Sequence, residues 1–110
     1  MTRVMEPNVE RHRKICEYLT NLYERKNHDY GDSFHMTFIE EGMAMPRIRL
    51  GDKLGRFKTL TRIAEKNLGT HEQLVPDESV RDTLLDLANY AIMTVMELDR
   101  VKEKENEHHD

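Results

Sequence analysis

The sequence predicts an all-α fold, a small bundle of three long helices and one short helix, from three observations. Apolar residues recur at three- and four-residue spacing over long stretches. No segment alternates apolar and polar residues as a half-buried strand would. Helix-capping and helix-ending residues stand at the edges of the periodic stretches, as Asn8, Ser33, Gly42, Asp77 and Gly69 do.

The first helix is expected from Asn8 to about Lys26, because Val9, His12, Ile15, Cys16, Leu19, Leu22 and Tyr23 mark one face. Cys16 on that face reads as core packing. The segment 27–32, Asn-His-Asp-Tyr-Gly-Asp, is rich in turn formers and reads as a loop. Asp32 or Ser33 then starts a short helix through Phe34, Thr37, Phe38 and Glu41, with Gly42 closing it. Pro46 suits the first turn of a third helix with apolar positions Leu50, Leu54, Phe57, Leu60 and Ala64, ending near Asn67 to Gly69. After a polar connection, Asp77 or Ser79 caps the longest helix, about 79 to 104. There Val80, Leu84, Leu87, Ala91, Val95 and Leu98 form one row, and Leu85, Ala88, Ile92 and Met96 a second. An apolar arc of that width calls for more than one neighbour.

At 110 residues, two independent cores would each be too small to be stable, so a single domain over 1–110 is expected, flexible at about 1–7 and 103–110. The composition is 37% hydrophobic and 35% charged, which makes a monomeric core thin and predicts a homo-oligomer. A net charge of −4 argues against direct binding to DNA or RNA. One cysteine allows no internal disulfide, and no apolar run reaches the length of a membrane span. A cytoplasmic protein with no membrane partner is the expectation.

Chemistry concentrates on two helices and one loop. On the fourth helix, Asp82, Asp86 and Asn89 fall within about 80° of one another, with Tyr90 at the edge of the sector. Carboxylates one turn apart can share a divalent cation, and Mg²⁺ commonly takes one or two, completing its shell with water and phosphate. A solvated helix face explains the same spacing. On the third helix, Arg49, Asp52, Lys53 and Arg56 fill a sector of about 100° beside the apolar row. These cations suit phosphate, Arg through its fork and Lys as a point charge. The alternative is a salt bridge between helices, Arg49 or Arg56 meeting Asp82 or Asp86. In the loop, Tyr30 beside Gly31 suits stacking on a base or plugging the end of the bundle. His28, His35 and His71 lack zinc-ligand spacing, and no P-loop, dinucleotide-binding or nucleophile-elbow motif occurs.

The stretches Lys26-Asn-His-Asp-Tyr-Gly-Asp-Ser-Phe34, Arg49-Leu-Gly-Asp-Lys-Leu-Gly-Arg56 and Asp82-Thr-Leu-Leu-Asp-Leu-Ala-Asn-Tyr90 together resemble a phage and bacterial family, nucleotide modification-associated domain type one. The resemblance spans about residues 10 to 100 and implies nucleotide metabolism, with Lys26, Asp29 and Tyr30 among the substrate contacts. More distantly, Asp82, Asp86 and Tyr90 are similar to the second acidic motif of MazG-like all-α nucleoside triphosphate pyrophosphohydrolases. That likeness implies a Mg²⁺ cofactor and catalytic Asp82 and Asp86. The first acidic motif of those enzymes is not matched: Arg49, Asp52, Lys53 and Arg56 stand where glutamates would be expected.

Three functions are therefore in play. In a Mg²⁺-dependent pyrophosphohydrolase, Asp82, Asp86 and Asp52 hold metal, Arg49, Lys53 and Arg56 grip phosphate, and Asn89, Tyr90 or Tyr30 contacts base or sugar. A module that sequesters a nucleotide without turnover uses the same cations. A helical interaction protein uses the polar stripes only as salt bridges.

Overall fold

The computed structural model describes residues 6–30, 32–66 and 78–107, with the side chains of 29, 30 and 63–66 outside that description. The described residues are almost wholly helical and contain no strand, as the periodicity predicts. They divide into two units, residues 1–33 and residues 34–110.

The first unit carries α1, Pro7–Tyr30. Its predicted end near Lys26 is corrected: the helix runs on through Asn27, His28 and Asp29. Nothing in that segment forbids helix, since the first glycine stands at 31, and His28 in the last turn suits the negative end of the helix dipole. Arg13 bridges Glu10 at 2.8 Å and also bonds Glu17, so one exposed face is laced by pairs at helical spacing. The expectation that Cys16 packs in a core is also corrected. Cys16 is exposed and its Sγ lies 3.6 Å from His12 Nδ1, one turn away.

The second unit carries α2 (Ser33–Glu41), α3 (Ala44–Lys66) and α4 (Glu78–Glu107). α2 ends on Gly42, whose φ of +66° is the left-handed conformation that closes a helix and that side-chain-bearing residues resist. The Gly42 N–H donates to the Phe38 carbonyl at 2.7 Å, and α3 begins two residues later. Pro46 is fully buried in the first turn of α3, where its missing N–H costs no helical bond. Of the two predicted caps, Asp77 lies outside the described residues and Ser79 stands inside the first turn of α4, which reaches three residues past the predicted end at 104.

α3 and α4 form the extensive helix pair of this unit. They run antiparallel, because Lys53 meets Asp86 while Arg56, one turn later, meets Thr83, one turn earlier. The buried stripe of α4 follows from this: Val80, Thr83, Thr94 and Glu97 are buried, with Leu87 and Tyr90 partly so between them. Of the predicted apolar row, Leu84, Val95 and Leu98 instead face outward. The two threonines sit in the seam at little cost because each hydroxyl donates to the carbonyl one turn back, Thr83 to Ser79 at 2.6 Å and Thr94 to Tyr90 at 2.7 Å. On α3, Leu50, Lys53, Phe57 and Leu60 are partly covered and Leu54 is exposed.

α2 is fixed to α4 through side chains. The Phe34 and Tyr90 rings stack at 6.1 Å between centroids and 28° between planes. His35 Nδ1 lies 2.8 Å from Glu97 Oε2, and Arg100 Nη1 donates to Glu97 Oε1 at 2.7 Å. A carboxylate only accepts, so the Nδ1 proton belongs to the Glu97 bond, and the 2.9 Å approach of Arg100 Nη1 to Nδ1 is a contact between neighbouring donors. Glu97 is 3% exposed, and a carboxylate so placed needs both donors.

Arg100→Met keeps the aliphatic stem and removes one donor from the buried carboxylate. The expected loss is about 1–2 kcal/mol in urea unfolding, low in the range for hydrogen bonds to charged groups because 40% of the Arg100 side chain meets solvent. Lys58→Met, an exposed control, should stay within about 0.5 kcal/mol; an equally small loss for Arg100→Met would contradict the assignment.

Candidate functional site

The antiparallel register of α3 on α4 brings together part of the predicted constellation. Lys53 takes a seam position through which the apolar pattern would pass, and its Nζ lies 3.1 Å from Asp86 Oδ2. The two side chains are 28% and 25% exposed, so the pair is mostly covered yet open to solvent at one edge. One turn along, Arg56 Nε donates to Thr83 Oγ1 at 3.2 Å. Thr83 Oγ1 itself donates to Ser79, so its lone pair is directed back at the guanidinium. Tyr90 follows Asp86 by one turn and carries Phe34 of α2 on its ring. A cationic stretch and an aromatic pair thus lie along one side of α4, separated by about a turn.

An interhelical ion pair was one of the two readings of these charges, with Arg49 or Arg56 as the basic partner and Asp82 or Asp86 as the acid. The acid is Asp86 and the base is Lys53. The reason is register: Lys53 shares the α4-facing side of α3 with Leu50 and Phe57, whereas Arg49 is exposed.

The other predicted residues are placed differently. Arg49, Asp52 and Asp82 are exposed, and none of them makes an ion pair with another described residue. Asn89 is partly buried on α4. Lys26 is exposed on α1 in the first unit, and the side chains of Asp29 and Tyr30 lie outside the described residues. Among the described residues, no three His, Cys, Asp or Glu side chains gather as a metal-binding group. A shallow depression on α1, lined by Arg13, Cys16, Glu17, Thr20 and Asn21, includes none of the predicted residues.

Two residues of this site were not anticipated, Thr83 and Phe34. Thr83 stands one turn before Asp86 and one turn from the Ser79 carbonyl, a spacing at which seam position and hydroxyl partner could both have been read. Phe34 was legible only as part of the motif that ends in it, since no local pattern pairs it with Tyr90.

The Lys53–Asp86 pair should show measurable coupling. A double-mutant cycle of Lys53→Met and Asp86→Asn is expected to give about 1 kcal/mol, the upper end for solvent-accessible pairs, because both side chains are about three-quarters covered. A coupling below about 0.3 kcal/mol would show that the two charges act independently.

No described helix is long and apolar enough to cross a membrane. No curated protein and no solved structure matches the chain. The sequence profile of one family, nucleotide modification associated domain 1, matches residues 26–98, a span that covers all of α2 and α3 and most of α4. That match takes in more than half of the 110 residues, and the chain belongs to the nucleotide modification associated domain 1 family.

Proposed function

We propose that the protein binds a nucleotide along the α3–α4 seam, its phosphates held by Lys53 and Arg56 and its base or sugar set against Tyr90 and Phe34. The observation that carries this reading is the Lys53–Asp86 pair at 3.1 Å, one turn from the Arg56–Thr83 bond. Both cations are held toward α4 by oxygens that a phosphate can replace, so little side-chain ordering remains to be done on binding. Arg offers a bidentate fork and Lys a compact charge, and each suits a phosphate oxygen. Arg49, exposed one turn before Lys53, can reach a terminal phosphate, and Asn89 adds an amide beside Tyr90. Family membership supports a role in nucleotide metabolism.

Turnover is a second reading, in which the protein is a Mg²⁺-dependent, MazG-like nucleoside triphosphate pyrophosphohydrolase. Asp82 favours it: the residue is exposed one turn before Asp86 and is engaged in no ion pair among the described residues. Asp82 and Asp86 would hold one Mg²⁺, a number of carboxylates that suits an ion arriving with a triphosphate. When bound, Mg²⁺ supplies a polarised phosphoryl oxygen or an activated water. A cation there competes with Lys53 for Asp86, so Lys53 would have to pass to the phosphate as the metal enters. Asp52 is the weakest of the three predicted ligands, because Lys53 rather than Asp52 faces α4.

Calorimetry with ribo- and deoxyribonucleoside triphosphates, with and without Mg²⁺, tests both readings. At least one nucleotide should bind, and Lys53→Met should weaken it about tenfold or more, the loss of one charged phosphate contact of about 1.4 kcal/mol. Recovery of intact ligand assigns sequestration, whereas release of pyrophosphate and monophosphate assigns hydrolysis. No binding by any nucleotide, or full binding by Lys53→Met, would refute the site.

A further inference from the structure

We infer that two copies of the chain pair through an antiparallel contact between their α4 helices. The inference rests on the surface of α4 alone and stands or falls separately from nucleotide binding. Positions 81, 84, 88, 91, 95, 98, 102 and 105 repeat with strict three- and four-residue spacing, the seam of a coiled coil. This row lies about 100° around the helix from the stripe that packs on α3. All of its members are exposed except Ala88, which is partly covered.

The row is too apolar to be a solvated face. Leu84, Ile92, Val95 and Leu98 on or beside it are each 43% to 54% exposed. At about 80 Å² apiece they present roughly 320 Å² of apolar surface, the size of the largest patch on a typical monomer, which is often functional.

The occupant and its direction follow from size and charge. In a parallel pair the same residues face each other: Ala88 and Ala91 each meet themselves and leave a gap, and Arg81, Lys102 and Glu105 meet like charges. In an antiparallel pair centred near Met93, large meets small. Leu98 lies opposite Ala88 of the partner copy, and Val95 opposite its Ala91. Arg81 then lies opposite Glu105 of the partner copy, Asp82 is level with its Lys104, and the stem of Lys102 covers Leu84. The helix is complementary to its own reverse in both shape and charge, which is the property a two-fold contact requires.

Light scattering at about 100 μM should give twice the chain mass of 13.1 kDa, and Val95→Glu should halve it while circular dichroism keeps its helical signal. Leu84→Cys/Lys102→Cys in a Cys16→Ser background should form a disulfide-linked dimer on oxidation, and neither single-cysteine variant should. The crosslink decides the question even if Val95→Glu fails to fold. A monomeric wild type, a Val95→Glu variant that stays dimeric, or crosslinking by Leu84→Cys alone would each overturn the inference. A monomeric wild type in which Val95→Glu lowers the melting temperature would assign the row to a segment of the same chain.

Discussion

The ion pair between Lys53 and Asp86 sets the terms on which α3 can lie against α4. Both side chains occupy the interface of the unit's extensive helix pair, each about three-quarters covered, and each offsets part of the other's cost of leaving water. Their meeting fixes the register, and Arg56 and Thr83 repeat the arrangement one turn away. The rest of the seam tolerates polarity on the same condition. Thr83 and Thr94 close on their own helix, and Glu97 is held by His35 and Arg100. No buried side-chain nitrogen or oxygen among the described residues is left without a partner.

A seam of this kind contributes less burial than an apolar one and more specificity of position. That trade accounts for the exposed leucines, valines and isoleucines of α4: polar residues took seam positions, and apolar ones remained on the outer row. The same trade places chemistry where a phosphate can reach it. Lys53 and Arg56 extend from a rigid helix, their side chains already oriented by α4, and the Phe34–Tyr90 stack closes the neighbouring turn.

Much of the fold could be read from the sequence because punctuation is explicit where it matters. Ser33, Gly42 and Pro46 bracket the short α2 and the start of α3, and the structure places those boundaries within two residues of the reading. α1 outruns its predicted end because Asn27 and Asp29 suit turns without barring helix, each costing less than about 1 kcal/mol there, and neither glycine nor proline stands before Gly31. Which face of α4 is buried was not legible. The seam follows neither predicted row: it runs through Val80, Thr83, Leu87, Tyr90, Thr94 and Glu97 and shares only Val80 and Leu87 with the first. An apolar pattern passes over threonines whose hydroxyls close on their own helix and a glutamate whose partners, His35 and Arg100, show no local spacing signal. The candidate site was legible in part for the same reason. Spacing identified Lys53, Arg56, Asp86 and Tyr90, but it equally identified Arg49, Asp52 and Asp82, which face outward, because helical spacing groups residues within a sector and does not say where the seam cuts it.

The central claim is that the charged part of the α3–α4 seam is where phosphate is recognised. Amide chemical-shift mapping of the intact protein during titration with sodium tripolyphosphate and with a deoxynucleoside triphosphate tests it most directly. The account predicts that both ligands shift the amides around Lys53, Arg56, Thr83 and Asp86, and that the nucleotide alone also shifts those of Phe34 and Tyr90. Shifts confined to α1, or none at millimolar ligand, would contradict it.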